Sequence, residues 1–396
     1  MIEYAGSRVG GLRSRSAEGD VTTFLRSLDW LLLLTAGALV AYGLWAIAGI
    51  TRYDVLGERD YFVVRQAIFA GIGAVGMIVA IVVDPVRYRR HPRGLFVLCV
   101  GLLLLVIALG EATRGSRRWI EIGALFRFQP SEFGKLLVVL FLAGFLAARG
   151  RGVGEARTVA AAVGLGLVPI ALVFVQPDFG TALVYMAALA AVLFVSGVRW
   201  KHMAVLAVAA VVAGGAMLWG LPAAGVQVLK PYQEQRILAF TDRDRDPSGT
   251  TYNVNQSIVA VGSGGVSGRG VEGATQTNLD YLPEHATDFV FASLSEQRGF
   301  VGAAALLLLY LLLLWRAIRI VSVAADPFSA TVAGGIVFAL LAQIFVNVGM
   351  TMGIAPVTGI PLPFVSVGGS SMISNLLAIG VLEAIHVRGR MARRPV

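Results

Sequence analysis

The residues best suited to chemistry lie in a few short runs. In the run Leu282 to Phe289, Asp288 stands just before an apolar stretch. An Asp there does one of two things. It caps a helix by accepting a hydrogen bond from a free backbone amide, or, ionised at a membrane-facing cavity, it takes a proton as a general base. Asp288 reads equally as either, with Glu284 and Glu296 nearby, while His285 reads as a surface residue rather than a metal ligand. In the run Gln129 to Lys135, Glu132 and Lys135 are three apart and share one helix face. They form either a structural pair with the lysine snorkelling to water, or an acid and a cation facing a cavity where a lipid phosphate sits. Arg118 and Trp119 lie upstream on the same side, the tryptophan suited to anchoring at the interface.

Two runs are suited to an anion. Gly262, Gly264, Gly265, Gly268 and Gly270, with Arg269 among them, let backbone amides approach a phosphate. A flexible turn explains them as well, and the Lys-Ser/Thr of a nucleotide loop is absent. Gly368, Gly369, Ser370 and Ser371 present free amides where the last apolar helix starts, which is an anion site by geometry and equally an ordinary helix start. Asp178, between two apolar runs with almost no loop, reads as an N-cap.

These residues need elements to hold them, and composition says which kind. Of 396 residues, 57% are hydrophobic and 14% charged, against about 25% charged in an ordinary soluble domain. Ten apolar runs are long enough to span a bilayer: 28–49, 62–83, 94–110, 133–148, 158–176, 179–198, 202–221, 299–315, 330–353 and 367–387. The expected fold is an all-α polytopic membrane protein with ten transmembrane helices. One long ordered extracytoplasmic loop, 222–298, separates helices seven and eight and carries Tyr232, Ile237, Tyr252, Ile258, Tyr281 and Phe289 for docking. Residues 1–27 form a polar N-terminal tail and 388–396 a basic C-terminal tail around the membrane domain, 28–387. No cleavable leader precedes the first run. The net charge of +9 resembles that of a nucleic-acid binder, but the basic residues gather in the loops on the side of the termini. They therefore place both termini in the cytoplasm and exclude nucleic acid as a partner. Cys99 is the single cysteine and the four histidines are scattered, so the expected metal ligands are none.

Taken together, these segments resemble the SEDS family (shape, elongation, division and sporulation), and more narrowly its RodA branch. The likeness covers nearly the whole chain. It is carried by Arg118-Trp119, the runs Gln129 to Lys135, Gln176 to Thr181, Gly262 to Gly270, Leu282 to Phe291 and Pro356 to Ser371, and by Gln276. The resemblance implies a ten-helix bundle in the bacterial cytoplasmic membrane that polymerises lipid II into glycan strands at the outer face, for cell elongation, shape and wall synthesis. It implies that Asp288 matches an essential acid of the long loop and that Glu132 and Lys135 match a functional pair. As partners it implies a class B penicillin-binding protein and other membrane proteins of the elongation complex. Thr250-Thr251, Glu296-Gln297 and Val367 depart from the family's usual residues.

The chemistry agrees. A polymerase outside the membrane has no nucleotide sugars, so its donor must arrive activated, as a polyprenyl diphosphate sugar does. Such a reaction needs a base, groups that stabilise the departing diphosphate, and a lipid groove. Asp288 is the expected base. Arg118, Trp119, Gly264, Gly265, Arg269 and the 368–371 run are the expected substrate contacts. A divalent cation, Mg or Mn, is a chemically reasonable bridge on the diphosphate. The rival expectation is a lipid II flippase. It needs polar groups through the bilayer depth, yet runs six and seven hold no charge. A scaffold role alone would not require Asp288, Lys135 and Arg118 at one membrane face.

Overall fold

The computed structural model describes residues 17–55, 57–113, 116–123, 126–225 and 250–393. Parts of the expected tails and loop, namely 1–16, 226–249 with Tyr232 and Ile237, and 394–396, lie outside the described residues.

The chain is a helical bundle. In order it forms α1 (Ala17–Ser27), α2 (Trp30–Ile50), α3 (Tyr61–Val82), α4 (Pro85–Arg90), α5 (Pro92–Leu109), α6 (Pro130–Ala147), α7 (Ala156–Val175), α8 (Phe179–Val195) and α9 (Trp200–Gly215). After the long connection come α10 (Thr250–Ser263), α11 (Val290–Val323), α12 (Pro327–Thr351) and α13 (Gly369–Ala392). Among the described residues nine helices are long and apolar enough to cross a membrane, and α8, with 17 residues, is apolar and shorter. This is a multi-pass membrane protein. Several helix starts are fixed locally: Asp29, Asp178 and Asp326 each accept hydrogen bonds from backbone amides of the following turn, as N-caps do. For Asp178 this is the role its position implies.

Between α5 and α6 the chain adds a small antiparallel sheet to the expected all-helical fold. Its strands are β1 (Glu111–Thr113), β2 (Ser116–Ile122) and β3 (Phe126–Phe128), in the order β1-β2-β3, with Ile120 opposite Phe128. Consecutive helices need only a short connection, but a hairpin here carries Arg118 and Trp119 next to the start of α6.

The core lies along α6, α8, α12 and α13, which bury residues along most of their length, whereas α9 buries none. A largely apolar helix that touches the core only through partly buried residues such as Met203 and Leu206 belongs at the rim, facing lipid. A second small apolar cluster joins Val254 and Ala260 of α10 to Phe289, Ala292 and Met350, so the described part of the long connection packs on the ends of α11 and α12.

Several boundaries differ from the sequence expectation, among them the end of the helix expected at 315, which runs on to Val323. Residues 17–27 are helical rather than a plain tail, and α13 runs past 387 to Ala392. The helix expected from 299 starts at Val290. Glu296, Gln297 and Arg298 made that stretch look like loop, but the first two are buried and hydrogen-bonded, and Arg298 stacks 4.1 Å from the Trp45 ring. Polar residues with partners can stay in a buried helix. At Gly299 the backbone of α11 leaves helical geometry (φ 65°, ψ −164°). The glycine run clasps this break: Phe300 donates its amide to the Gly265 carbonyl at 2.9 Å, and Val301 to that of Val266 at 3.1 Å. A Cβ on Gly264 would lie 2.0 Å from the Ser295 carbonyl oxygen, so the two backbones touch directly.

Candidate active site

The first turn of α6 organises two polar clusters. Glu132 and Lys135 are both buried, with Nζ 2.8 Å from Glu132 Oε2, so the three-residue spacing does bring the pair together. The lysine does not snorkel. Gln343 of α12 covers it and accepts from Nζ at 2.9 Å. Of the three ammonium donors, two are therefore committed. Glu132 Oε1 is buried without a hydrogen bond among the described residues. The pair lines a cavity of about 30 Å³ with Gln343, Ser374 and Asn375, which has room for about one water.

The second cluster centres on Asp178. Its carboxylate accepts from Thr181 N at 3.1 Å and from Gln129 Nε2 at 3.2 Å, and lies 3.7 Å from Arg118 Nη1. Among the described residues Arg118 Nε is buried without a partner, which leaves its guanidinium a donor to spare. Trp119 is half-buried beside it on β2.

Asp288 lies in the turn just before α11, partly exposed. The cap position is Phe289, so Asp288 stands one residue before it. Its turn is held from several sides. Asn347 Nδ2 of α12 donates to the Asp288 carbonyl at 2.9 Å and to that of Ile360 at 2.7 Å. Ser366 Oγ donates to the Thr287 carbonyl, and Val367 N to that of Ala286 at 3.0 Å. Thr287 Oγ1 donates to Glu284 Oε2 at 2.9 Å. Gln343 and Asn347 are four apart on α12, so one helix face touches both the lysine and the Asp288 turn.

His285 is not a surface residue. It is buried, with Nε2 3.1 Å from both carboxylate oxygens of Asp54 in the α2–α3 connection. Burial pulls its pKa down, but the hydrogen bond and charge of Asp54, the Leu282 carbonyl and Asp280 outweigh that, so the imidazole titrates above its usual value.

The expected anion contacts are engaged with the protein itself. Gly268 and Gly264 pack on the backbone of α11, and the Arg269 side chain donates to the Ser263 carbonyl at 3.1 Å. At the start of α13 the Gly368 amide donates to Gln66 Oε1, while Ser370 Oγ accepts from Gln129 N at 2.9 Å. Ser371 Oγ accepts from Asn375, and a Cβ on Gly369 would press on the Phe69 ring. Glu296 accepts from Gln276 N, Thr277 N and Thr277 Oγ1, which ties the 275–278 turn to α11.

The sequence reading missed Gln343, Asn347 and Ser374, and gave Gln129 no role beyond its place in the run to Lys135. Gln343 and Asn347 had a signal, since two amides four apart in an apolar span must face protein rather than lipid.

A family model described as cell cycle protein, covering FtsW, RodA and SpoVE, matches residues 26–391. The chain is 39% identical over 356 residues to stage V sporulation protein E of Bacillus subtilis, covering 89% of this chain and 93% of that one. It is 37% identical over 371 residues to the peptidoglycan glycosyltransferase MrdB of Escherichia coli, covering 93% and 96%. Among solved structures, a chain from a study of structural coordination of polymerization and crosslinking by a peptidoglycan synthase complex superposes with a TM-score of 0.76. The two are 30% identical, over 93% of this chain and 99% of that one. The rod shape determining protein RodA of Thermus thermophilus gives a TM-score of 0.67 at 28% identity, over 93% and 98%.

Proposed function

Since this chain belongs to the FtsW, RodA and SpoVE family of cell cycle proteins, we propose that it is a peptidoglycan glycosyltransferase that polymerises lipid II at the outer face of the cytoplasmic membrane. One observation carries the reading at the level of residues: a single face of α12 joins Lys135 to the turn that bears Asp288.

The donor sugar is α-linked to its diphosphate and the product is β-linked, so one direct displacement with inversion suffices. The acceptor hydroxyl oxygen bonds to the anomeric carbon as the bond to the diphosphate breaks. The diphosphate leaves with the electron pair, and the proton passes to the Asp288 carboxylate. Arg118, with Nε unpaired, and Lys135, with one donor uncommitted, supply cationic character for the departing anion. Trp119, Gly264, Gly265, Arg269 and residues 368–371 shape the surroundings of the lipid-borne sugar through the packing described above.

Among the described residues no three His, Cys, Asp or Glu gather to hold a metal. A divalent cation therefore enters this reading only as company of the diphosphate, and no step depends on it. Both termini are cytoplasmic by the distribution of basic loops. The partner is a class B penicillin-binding transpeptidase of the elongation machinery, which raises the polymerisation rate.

The test is a gel of products made from lipid II by the purified chain, with and without that transpeptidase. Glycan ladders that strengthen with the partner are expected. Transbilayer scrambling of fluorescent lipid II without chain growth would instead identify a flippase.

A further inference from the structure

At the end of the bundle opposite Asp288, where α2 begins and α11 and α13 finish, lies a cavity of about 660 Å³ lined by Arg26, Asp29, Arg316, His386, Arg390 and Arg393. Nothing in the polymerisation chemistry uses it. Four arginines line it with one carboxylate, Asp29, and a second, the buried Glu383, lies behind and accepts from the Asp29 amide. Asp29 Oδ2 accepts from Nε of Arg316 at 3.1 Å and from Nη2 as well. Arg390 and Arg393 are exposed and, among the described residues, donate only to the backbone carbonyls of Arg26 and Ser322. The cavity thus keeps a surplus of positive charge even after both carboxylates, Asp29 and Glu383, are subtracted.

His386 adds a second, independent sign. It is 6% exposed, lines the cavity, and neither ring nitrogen has a hydrogen-bond partner among the described residues. Any neutral or charged imidazole carries at least one N–H, and an unpaired buried donor is costly. An anionic oxygen in the cavity would accept from it. Trp30 forms part of the wall and is 53% exposed, at the first residue of a spanning helix, the position of an interfacial aromatic. The cavity is therefore level with phospholipid headgroups.

We propose that this cavity binds an anionic phosphate group, with Arg26, Arg390, Arg393 and His386 as donors. A phospholipid headgroup and a free phosphate share that chemistry, and the depth given by Trp30 makes the headgroup the nearer source.

The test uses the full chain, delipidated in detergent, with phosphatidylglycerol, zwitterionic phosphatidylcholine and inorganic phosphate as separate probes. Retained lipid is read by native mass spectrometry, and Tm is read alongside. Phosphatidylglycerol should be retained about tenfold better than phosphatidylcholine and should raise Tm. Arg26→Ala/Arg390→Ala should lose that selectivity. His386→Phe should weaken it, whereas His386→Gln, which keeps a donor, should restore part of it. A Tm rise with inorganic phosphate alone, abolished by the same variants, would assign the site to free phosphate and equally support the proposal. Equal retention of both lipids with no response to phosphate would overturn it. Variants that bind like the wild type would overturn it too. If the double arginine variant does not fold, the single Arg393→Ala change at the exposed rim carries the same comparison.

Discussion

Gln343 and Asn347, four residues apart on α12, link the two parts of the candidate site. Gln343 Oε1 accepts from Lys135 Nζ at 2.9 Å, and Asn347 Nδ2 donates to the Asp288 carbonyl at 2.9 Å. Both amides also grip the 356–368 strap, Gln343 at the Pro361 carbonyl and Asn347 at that of Ile360. A shift of α12 would therefore move the lysine and the Asp288 turn together.

Asp288→Asn should reduce glycan polymerisation by about 100- to 10,000-fold, the usual contribution of a general base. Because Phe289 holds the cap position, the substitution should leave expression and Tm near wild type. Activity within about twofold of wild type would move the search for a base to Glu284, the partly exposed acid in the same turn.

Lys135→Met should both abolish activity and destabilise the bundle, by about 3–5 kcal/mol, since it leaves the Glu132 carboxylate buried and unpaired. Glu132→Leu/Lys135→Met should recover much of the lost stability while remaining inactive. A double variant as unstable as the single one, in denaturation followed by tryptophan fluorescence, would mean that the pair contributes net stability.

The Asp54–His285 pair makes stability depend on pH. The folded imidazole titrates above its unfolded value of about 6.5. Its contribution is therefore complete below that value and fades as pH rises through the folded one. Asp54→Asn should lower Tm at pH 6 and have little effect at pH 9. An equal drop at both would show that the contact acts through packing rather than charge.

Gly268→Ala should destabilise by about 1–3 kcal/mol. The backbone there has φ +84°, and an added Cβ would lie 2.2 Å from the Gln297 carbonyl oxygen. Gly262→Ala, at a position with open space around its Cβ site, is the control and should be near neutral in a thermal melt.

The spanning helices were legible because about 20 apolar residues in a row have few other fates. The Asp178 cap was legible because capping is local. Other features were not, and for a common reason. Lys135 at the start of an apolar helix looks free to reach water until α12, 208 residues away in sequence, is seen to cover it. His285 looks like a surface residue until Asp54, 231 residues away, pairs with it. The glycine run suggested a phosphate cradle because close backbone approach was the right inference. What approaches is the broken backbone of α11, and local composition does not reveal which partner fills the space.

The break at Gly299 also sets a depth. From Phe300 to Trp315, the residue before the Arg316 that pairs with Asp29 at the far end, the helix rises about 24 Å at 1.5 Å per residue, so the crossing of roughly 30 Å of hydrocarbon is completed by the residues just before the break. The first residues of α11, from Val290, are then surplus length and stand above the acyl chains with the Asp288 turn, at the height where phospholipid phosphates lie. A polyprenyl chain anchored in the bilayer carries its diphosphate at that same height. The Asp288 turn can thus meet such a molecule by lateral diffusion, with the membrane reducing the search from three dimensions to two.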